Sequence, residues 1–153
     1  MFSQAVVEQV GYYVYLLRDS ISGEVFYVGK GKGNRVFQHV QCAIASAESS
    51  EKLDRIREIQ TGGGVVETFI VRHGLSEEAS FEVEAALIDF VGLSKLTNLQ
   101  AGHLSSDFGL KRVEEISAMY EAAPFDTKLA CLLVNINKLY TRQMSQSEIY
   151  NAT

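Results

Sequence analysis

The sequence predicts a small α/β (α+β) domain, a three-stranded, mainly antiparallel sheet with helices packed on it. Three observations carry that prediction. Residues 12–18 and 25–28 alternate like paired strands around a Ser/Gly turn, residues 65–72 form a third β-branched run, and three other stretches place apolar residues at helical spacing. At 153 residues, 46% of them apolar, the chain is long enough to bury a core as one globular domain.

In the first strand Tyr13, Tyr15 and Leu17 alternate with Tyr12, Val14 and Leu16, the pattern of a half-buried strand rich in aromatic residues. Ser20, Ser22 and Gly23 supply the turn into Val25–Val28. Asn34 is placed to cap a helix running to about Ala47, with Val36, Val40, Ala43, Ile44 and Ala47 as its core stripe. A second helix is expected over Ser49–Gln60, with Leu53, Ile56 and Ile59 inward, an outward Glu51/Arg55 pair, and an abrupt stop at Thr61–Gly64. Val65–Arg72 is apolar on both faces, as suits the central strand of a small sheet. Ser76 to Val91 reads as a third helix, capped by Ser76, with Glu77 and Glu78 at its positive end and Gly92 beyond it.

Composition narrows the function classes. No stretch approaches the roughly twenty apolar residues of a membrane helix, and Met1–Val10 lacks the basic start of a signal peptide. Cys42 and Cys131 are far apart in apolar surroundings, which points to reduced thiols and a cytoplasmic protein, and no C-x-x-C spacing suggests zinc. A net charge of −5 argues against a broad grip on a phosphate backbone. Yet Phe26–Cys42 holds Lys30, Lys32 and Arg35 and no acid, so a phosphate would be bound there.

Two stretches carry candidate chemistry. Gly29-Lys30-Gly31-Lys32-Gly33 has the look of a phosphate-cradling loop, although it fits neither nucleotide-binding glycine pattern. Arg35 and His39, four apart, share a helix face beside the tyrosines; a solvated arginine and a surface histidine are the plain alternative. On the third helix, Glu78, Glu82, Ala85 and Asp89 form a solvent-facing line at about 100° per residue, and Glu84 stands roughly 130° away. There it falls among Val83, Leu87, Ile88 and Val91. A carboxylate on an apolar face must be neutral, paired or bound to a metal, because an uncompensated buried charge is costly.

Tyr13-Val14-Tyr15 and Tyr27-Val28-Gly29 resemble the two signature tripeptides of the GIY-YIG nuclease family, and Arg35 and His39 follow in that family's order. Glu84-Ala85-Ala86-Leu87-Ile88 is similar to the setting of its metal-binding glutamate, and Leu96-Thr97-Asn98 through Gly102 is similar to its asparagine phrase. The first tripeptide lacks its glycine, and His103 stands where many relatives have a second one. The short Gly29–Arg35 segment resembles the Y-V-G-K-G-x-G-x-R branch, which includes an animal DNA-repair nuclease with ankyrin repeats. The resemblance covers about residues 11–103.

That resemblance implies metal-dependent hydrolysis of DNA phosphodiesters. Glu84 would hold one Mg²⁺ (or Mn²⁺), Arg35 would bind the scissile phosphate, and Tyr15 would take the proton from water, its pKa depressed by Lys30. Tyr27 and His39 would orient these groups, either tyrosine or His39 remaining an alternative base, while Gly29, Lys32 and Asn98 would contact DNA. The alternative is an inactive nucleic-acid or protein-interaction module that keeps the fold.

Residues 1–108 are expected to form the nuclease-like domain and 109–153 a helix-strand extension, the start of a truncated second domain. In the extension, Leu110–Tyr120 is a helix ended before Pro124 and Leu129–Ile136 an apolar strand. The capping box Ser145–Glu148 then opens a helix with five residues left to use. The apolar strand is expected either to fold back or to pair with its copy in a homodimer.

Overall fold

A computed structural model describes residues 1–45 and 49–121. The expected strand at Leu129–Ile136 and the capping box at Ser145–Glu148 lie outside the described residues. The chain divides into two units, Met1–Ile116 and Ser117–Thr153, with the boundary inside the helix Val113–Glu121.

The first unit has a three-stranded antiparallel sheet in the order β2-β1-β3, formed by β1 (Tyr12–Asp19), β2 (Val25–Lys32) and β3 (Val66–Leu75). The sheet is as expected, but β1 and not β3 is central. Periodicity cannot order strands, and β1 is the one whose two faces are both covered: Tyr13, Val14, Tyr15 and Leu17 are fully buried. On one face Tyr13, Tyr15 and Leu17 meet α2 (Arg35–Ala45) and α3 (Glu51–Thr61) through Val36, Ala43, Leu53, Ile56 and Ile59. On the other, Val14 and Val28 meet α4 (Glu77–Val91) through Ile88, with Val83, Leu87 and Val91 around it. A short helix not expected from sequence, α1 (Gln4–Val10), precedes β1.

β2 corrects the reading of residues 29–33. The strand continues to Lys32, and Gly29 and Gly31 pair with Tyr15 and Tyr13. A Cβ on Gly31 would lie 2.9 Å from the Tyr13 ring, and one on Gly29 would lie 2.8 Å from the Tyr27 ring. These glycines make room for phenol rings, and only Gly33, at φ 59°, needs glycine for its backbone.

Local capping differs from expectation at α2 and agrees at α4. The Asn34 side chain accepts from the Phe2 N–H (2.7 Å) instead of capping α2. The Val36 N–H is met by the Tyr13 hydroxyl (3.1 Å), which itself donates to Gly33 O (2.8 Å). Ser76 caps α4 as expected, accepting from Ala79, and Ser50, not singled out from the sequence, caps α3, accepting from Leu53. Arg55 pairs with Asp19 and Glu58 and not with Glu51. Cys42 is exposed, against the expectation of an apolar setting. Ala85 leaves the expected solvent line because the chain beyond α4 returns over it: a Cβ on Gly102 would lie 2.3 Å from Ala85 Cα.

Candidate active site

The site is assembled around the outer margin of β2. An edge strand presents unpaired backbone groups that must be satisfied or shielded, and here α4 and the segment after it satisfy them. Phe26 O accepts from Thr97 N (2.7 Å) and from the Thr97 hydroxyl (3.0 Å). The Asn98 amide bridges Val28, its Oδ1 accepting from Val28 N (3.1 Å) and its Nδ2 donating to Val28 O (2.7 Å). Glu84 Oε1 then accepts from Lys30 N (2.8 Å). Asn98, expected as a DNA contact, has both ends of its amide engaged by the strand.

Glu84 comes to this margin from the α4 face, and the tyrosines come to it from the opposite face. Tyr15 is wholly buried, and its hydroxyl is hydrogen-bonded to His39 Nε2, with the Tyr27 ring beside it. A Cβ on Gly29 would stand 3.0 Å from the phenol oxygens of both Tyr15 and Tyr27, so the two hydroxyls converge over that glycine. The His39 ring stacks against Tyr15 and meets Tyr27 edge-on.

Two clefts meet at Tyr27 and Glu84, which line both. The first, about 550 Å³, also carries Lys30, Lys32, Arg35 and Glu77; the second, about 610 Å³, carries Lys52, Phe81, Asn98 and Leu99. Arg35 is exposed and enters no ion pair among the described residues. Lys30 Nζ lies over the Phe81 ring (3.6 Å to its centroid) and 4.0 Å from Glu77, while Lys32 Nζ lies over Tyr12 (4.9 Å).

Electrostatics follow from burial. Burial raises the Tyr15 pKa well above its ordinary value, Tyr27 raises it further and Arg35 only partly opposes this, so the expected depression by Lys30 is not found. The cause is geometric, since the Lys30 ammonium sits on Phe81. Burial also raises Tyr27, with the Glu84 charge adding to it. His39 is pushed down to about 4 by burial, then by Lys52 and Arg35, so the imidazole is neutral near pH 7, with a ring nitrogen able to accept a hydrogen bond. Burial raises Glu84, against the Lys30 N–H, Lys30 and Arg35.

The LEM-3-like GIY-YIG domain model matches residues 17–123, starting just after the first tripeptide. The chain belongs to the GIY-YIG nuclease family. Ankyrin repeat and LEM domain-containing protein 1 homolog from Caenorhabditis elegans is 36% identical over 85 residues. That stretch is 51% of this chain and 12% of the relative, so the chain spans a small part of the curated relative it matches. No solved structure matches.

In this GIY-YIG domain Tyr15, Tyr27, Gly29, His39 and Glu84 come together, and Lys30, Lys32 and Arg35 line the first cleft beside them. Lys52 was not found from sequence. Its signal was there: a lysine in the first turn of a helix stands at the positive end of the dipole, where cations are disfavoured.

No group of three or more His, Cys, Asp or Glu among the described residues could hold a metal. Glu84 nevertheless fits the ion implied by the family. Mg²⁺ is commonly held by one or two carboxylates with waters and substrate phosphates completing the shell. Glu84 is a half-buried carboxylate facing both clefts, one of its oxygens fixed by a backbone N–H.

Proposed function

We propose that this domain hydrolyses phosphodiester bonds in DNA with the help of one divalent cation. The observation that carries the reading is the meeting of Tyr27 and Glu84 at the ridge between two clefts, with Arg35, which has no ion pair among the described residues, beside it in the first. A phosphodiester is anionic and water is a weak nucleophile, so the reaction needs charge neutralisation, a proton acceptor and in-line positioning. Glu84 would hold Mg²⁺ or Mn²⁺, which when bound supplies Lewis-acid neutralisation of the phosphate oxygens.

The chain's own residues supply the rest. Arg35 binds the non-bridging oxygens as charge grows on them, and its planar fork suits a phosphate. Lys30 and Lys32 give the first cleft its remaining positive charge. A free Tyr15 phenolate is disfavoured by burial, so we assign the proton path as a relay. Tyr27 takes the proton from water while passing its own to Tyr15, and Tyr15 passes its own to His39 Nε2. Neither phenol then has to stand ionised, and because burial, Lys52 and Arg35 disfavour the imidazolium too, His39 holds the proton only in passing before it leaves to solvent. Gly29 keeps the two hydroxyls together.

Linear, nicked and branched DNA incubated with Mg²⁺, Mn²⁺ or chelator tests the reading. Cleavage is expected with metal alone, and Arg35→Ala should lower turnover at saturating DNA by about 10²- to 10³-fold, as for loss of one preorganised donor. An Arg35→Ala protein that turns over normally once saturated would make Arg35 a docking residue. Wild-type protein that binds DNA and leaves every substrate intact would instead favour the interaction-module alternative.

A further inference from the structure

Neither the relay nor the Arg35 contact uses the Lys52 ammonium or the part of the second cleft beyond Tyr27 and Glu84. Lys52 is half-buried in the first turn of α3, with Nζ 4.4 Å from the Tyr27 ring centroid. Among the described residues it has no carboxylate within ion-pair distance. Burial and then the like charge of Arg35 push its pKa down.

Glu51 precedes Lys52 on the same turn and lines the same cleft but does not pair with it. A cation held partly out of water, at the wrong end of a helix and with no direct ion pair among the described residues, is costly by itself. The face of one aromatic ring offsets only part of that cost, which leaves room for an anion to do more. Local rules broken in this way are commonest at functional positions. The surroundings indicate which anion: Lys52 lines the cleft that shares Tyr27 and Glu84 with the Arg35 cleft, and Phe81 and Leu99 are exposed there. The two cations thus stand in different clefts that meet at one ridge.

We propose that the second cleft is a subsite for the nucleotide adjoining the scissile phosphate, with Lys52 receiving that nucleotide's own phosphate. Leu99 and the part of Phe81 not covered by Lys30 offer an apolar surface to its sugar or base, a contact that tolerates any sequence because every base has a π-face. A strand crossing the ridge is then held by Arg35 on one side and by Lys52 on the other. The inference rests on the hydrolase reading of the ridge, but its test reads binding separately from cleavage.

The full chain is titrated with a labelled single-stranded oligonucleotide in chelator over a range of salt. Lys52→Met keeps the unbranched stem over Tyr27 and loses the charge; Lys95→Met, in neither cleft, is the control. Lys52→Met should reduce the slope of log K against log salt by about 0.7, one phosphate's worth for a single strand, and Lys95→Met should not. Lys52→Arg should keep the wild-type slope; if it loses as much as Lys52→Met, the effect is structural and the proposal falls. In a second arm, single phosphates are replaced by neutral methylphosphonates. One replacement should weaken wild-type binding and leave Lys52→Met unaffected.

A wild-type slope in Lys52→Met overturns the subsite. A reduced slope in a protein that never cleaves with metal keeps the subsite and removes the hydrolase reading. A wild-type chain that binds no DNA removes both.

Discussion

At one margin of the sheet, β2 holds Phe26 and Val28 at 4% and 1% exposure, with its outward backbone groups taken by Thr97, Asn98 and Glu84. At the other, β3 leaves Phe69 and Val71 each 42% exposed, and no side chain among the described residues hydrogen-bonds to its backbone. Both are edge strands of one small sheet, so the difference lies in what is built on them. The capped margin carries the candidate site. Its carboxylate is fixed by the same hydrogen bond that closes the strand, so positioning of the site and closure of the sheet are one event. The bare margin adds only partly buried residues to the core, Val66 and Ile70 on one face and Leu75 on the other, and lines neither cleft.

The comparison can be broken most directly at Glu84. Glu84→Gln keeps an oxygen for the Lys30 N–H and loses the charge. It should abolish cleavage while leaving the urea midpoint close to that of the parent. Glu84→Ala also leaves that N–H without its partner and should cost about 1–3 kcal/mol of stability. Equal midpoints for the two variants would mean that the edge bond is not structural, and wild-type cleavage by Glu84→Gln would remove its assignment to metal.

Next in size is Asn98→Ala, which strips both hydrogen bonds from Val28. Each net bond is worth about 1 kcal/mol and an unsatisfied buried group costs more, so denaturant unfolding should show a loss of about 2 kcal/mol. Val71→Thr, on the exposed face of β3, should stay within about 0.5 kcal/mol of the parent, as surface changes usually do. A larger loss there would mean that the bare margin is covered by something else.

A pH titration sharpens the same contrast. His39 has its folded-state pKa lowered to about 4, from an unperturbed value of about 6.5. The unfolded chain therefore takes up the proton first. Stability is full above about pH 6.5 and is lost as pH falls toward the folded value. Glu84, raised by burial, acts in the opposite sense. The measurement is thus the difference between the parent and His39→Gln, which should narrow as pH drops from about 6.5 to 4. A constant difference would show that the ring is not held neutral.

Much of this was legible in the residues. Alternation gave the hairpin, helical spacing gave Leu53, Ile56 and Ile59, and the apolar setting of Glu84 marked it as unusual before any fold was known. The strand order was not legible, because β1 and β3 are both apolar on two faces and only the packing of α2 and α4 shows which is sandwiched. The glycines at 29 and 31 misled for a physical reason. Their spacing suits an anion loop, but the same period of two also places them opposite alternate tyrosines in a strand. Asn98 shows that a polar residue in a motif can be occupied by an edge strand. The first cleft's basic lining was visible as a run without acids, whereas the second depends on a return of the chain at residues 97–103 that no local pattern encodes.

The Lys30–Glu84 bond spans 54 residues and the Asn98–Val28 bridge spans 70, whereas Tyr13 reaches Gly33 and Val36 across 20 and 23. Short-range contacts close sooner than long-range ones, because less chain entropy is lost in forming them. During synthesis the tyrosines, His39 and Arg35 can therefore be arranged while the chain still lacks its carboxylate. The centre becomes complete only after α4 and the Asn98 segment have left the ribosome and docked, so an unfinished chain carries the basic and phenolic half of the site without the acidic half.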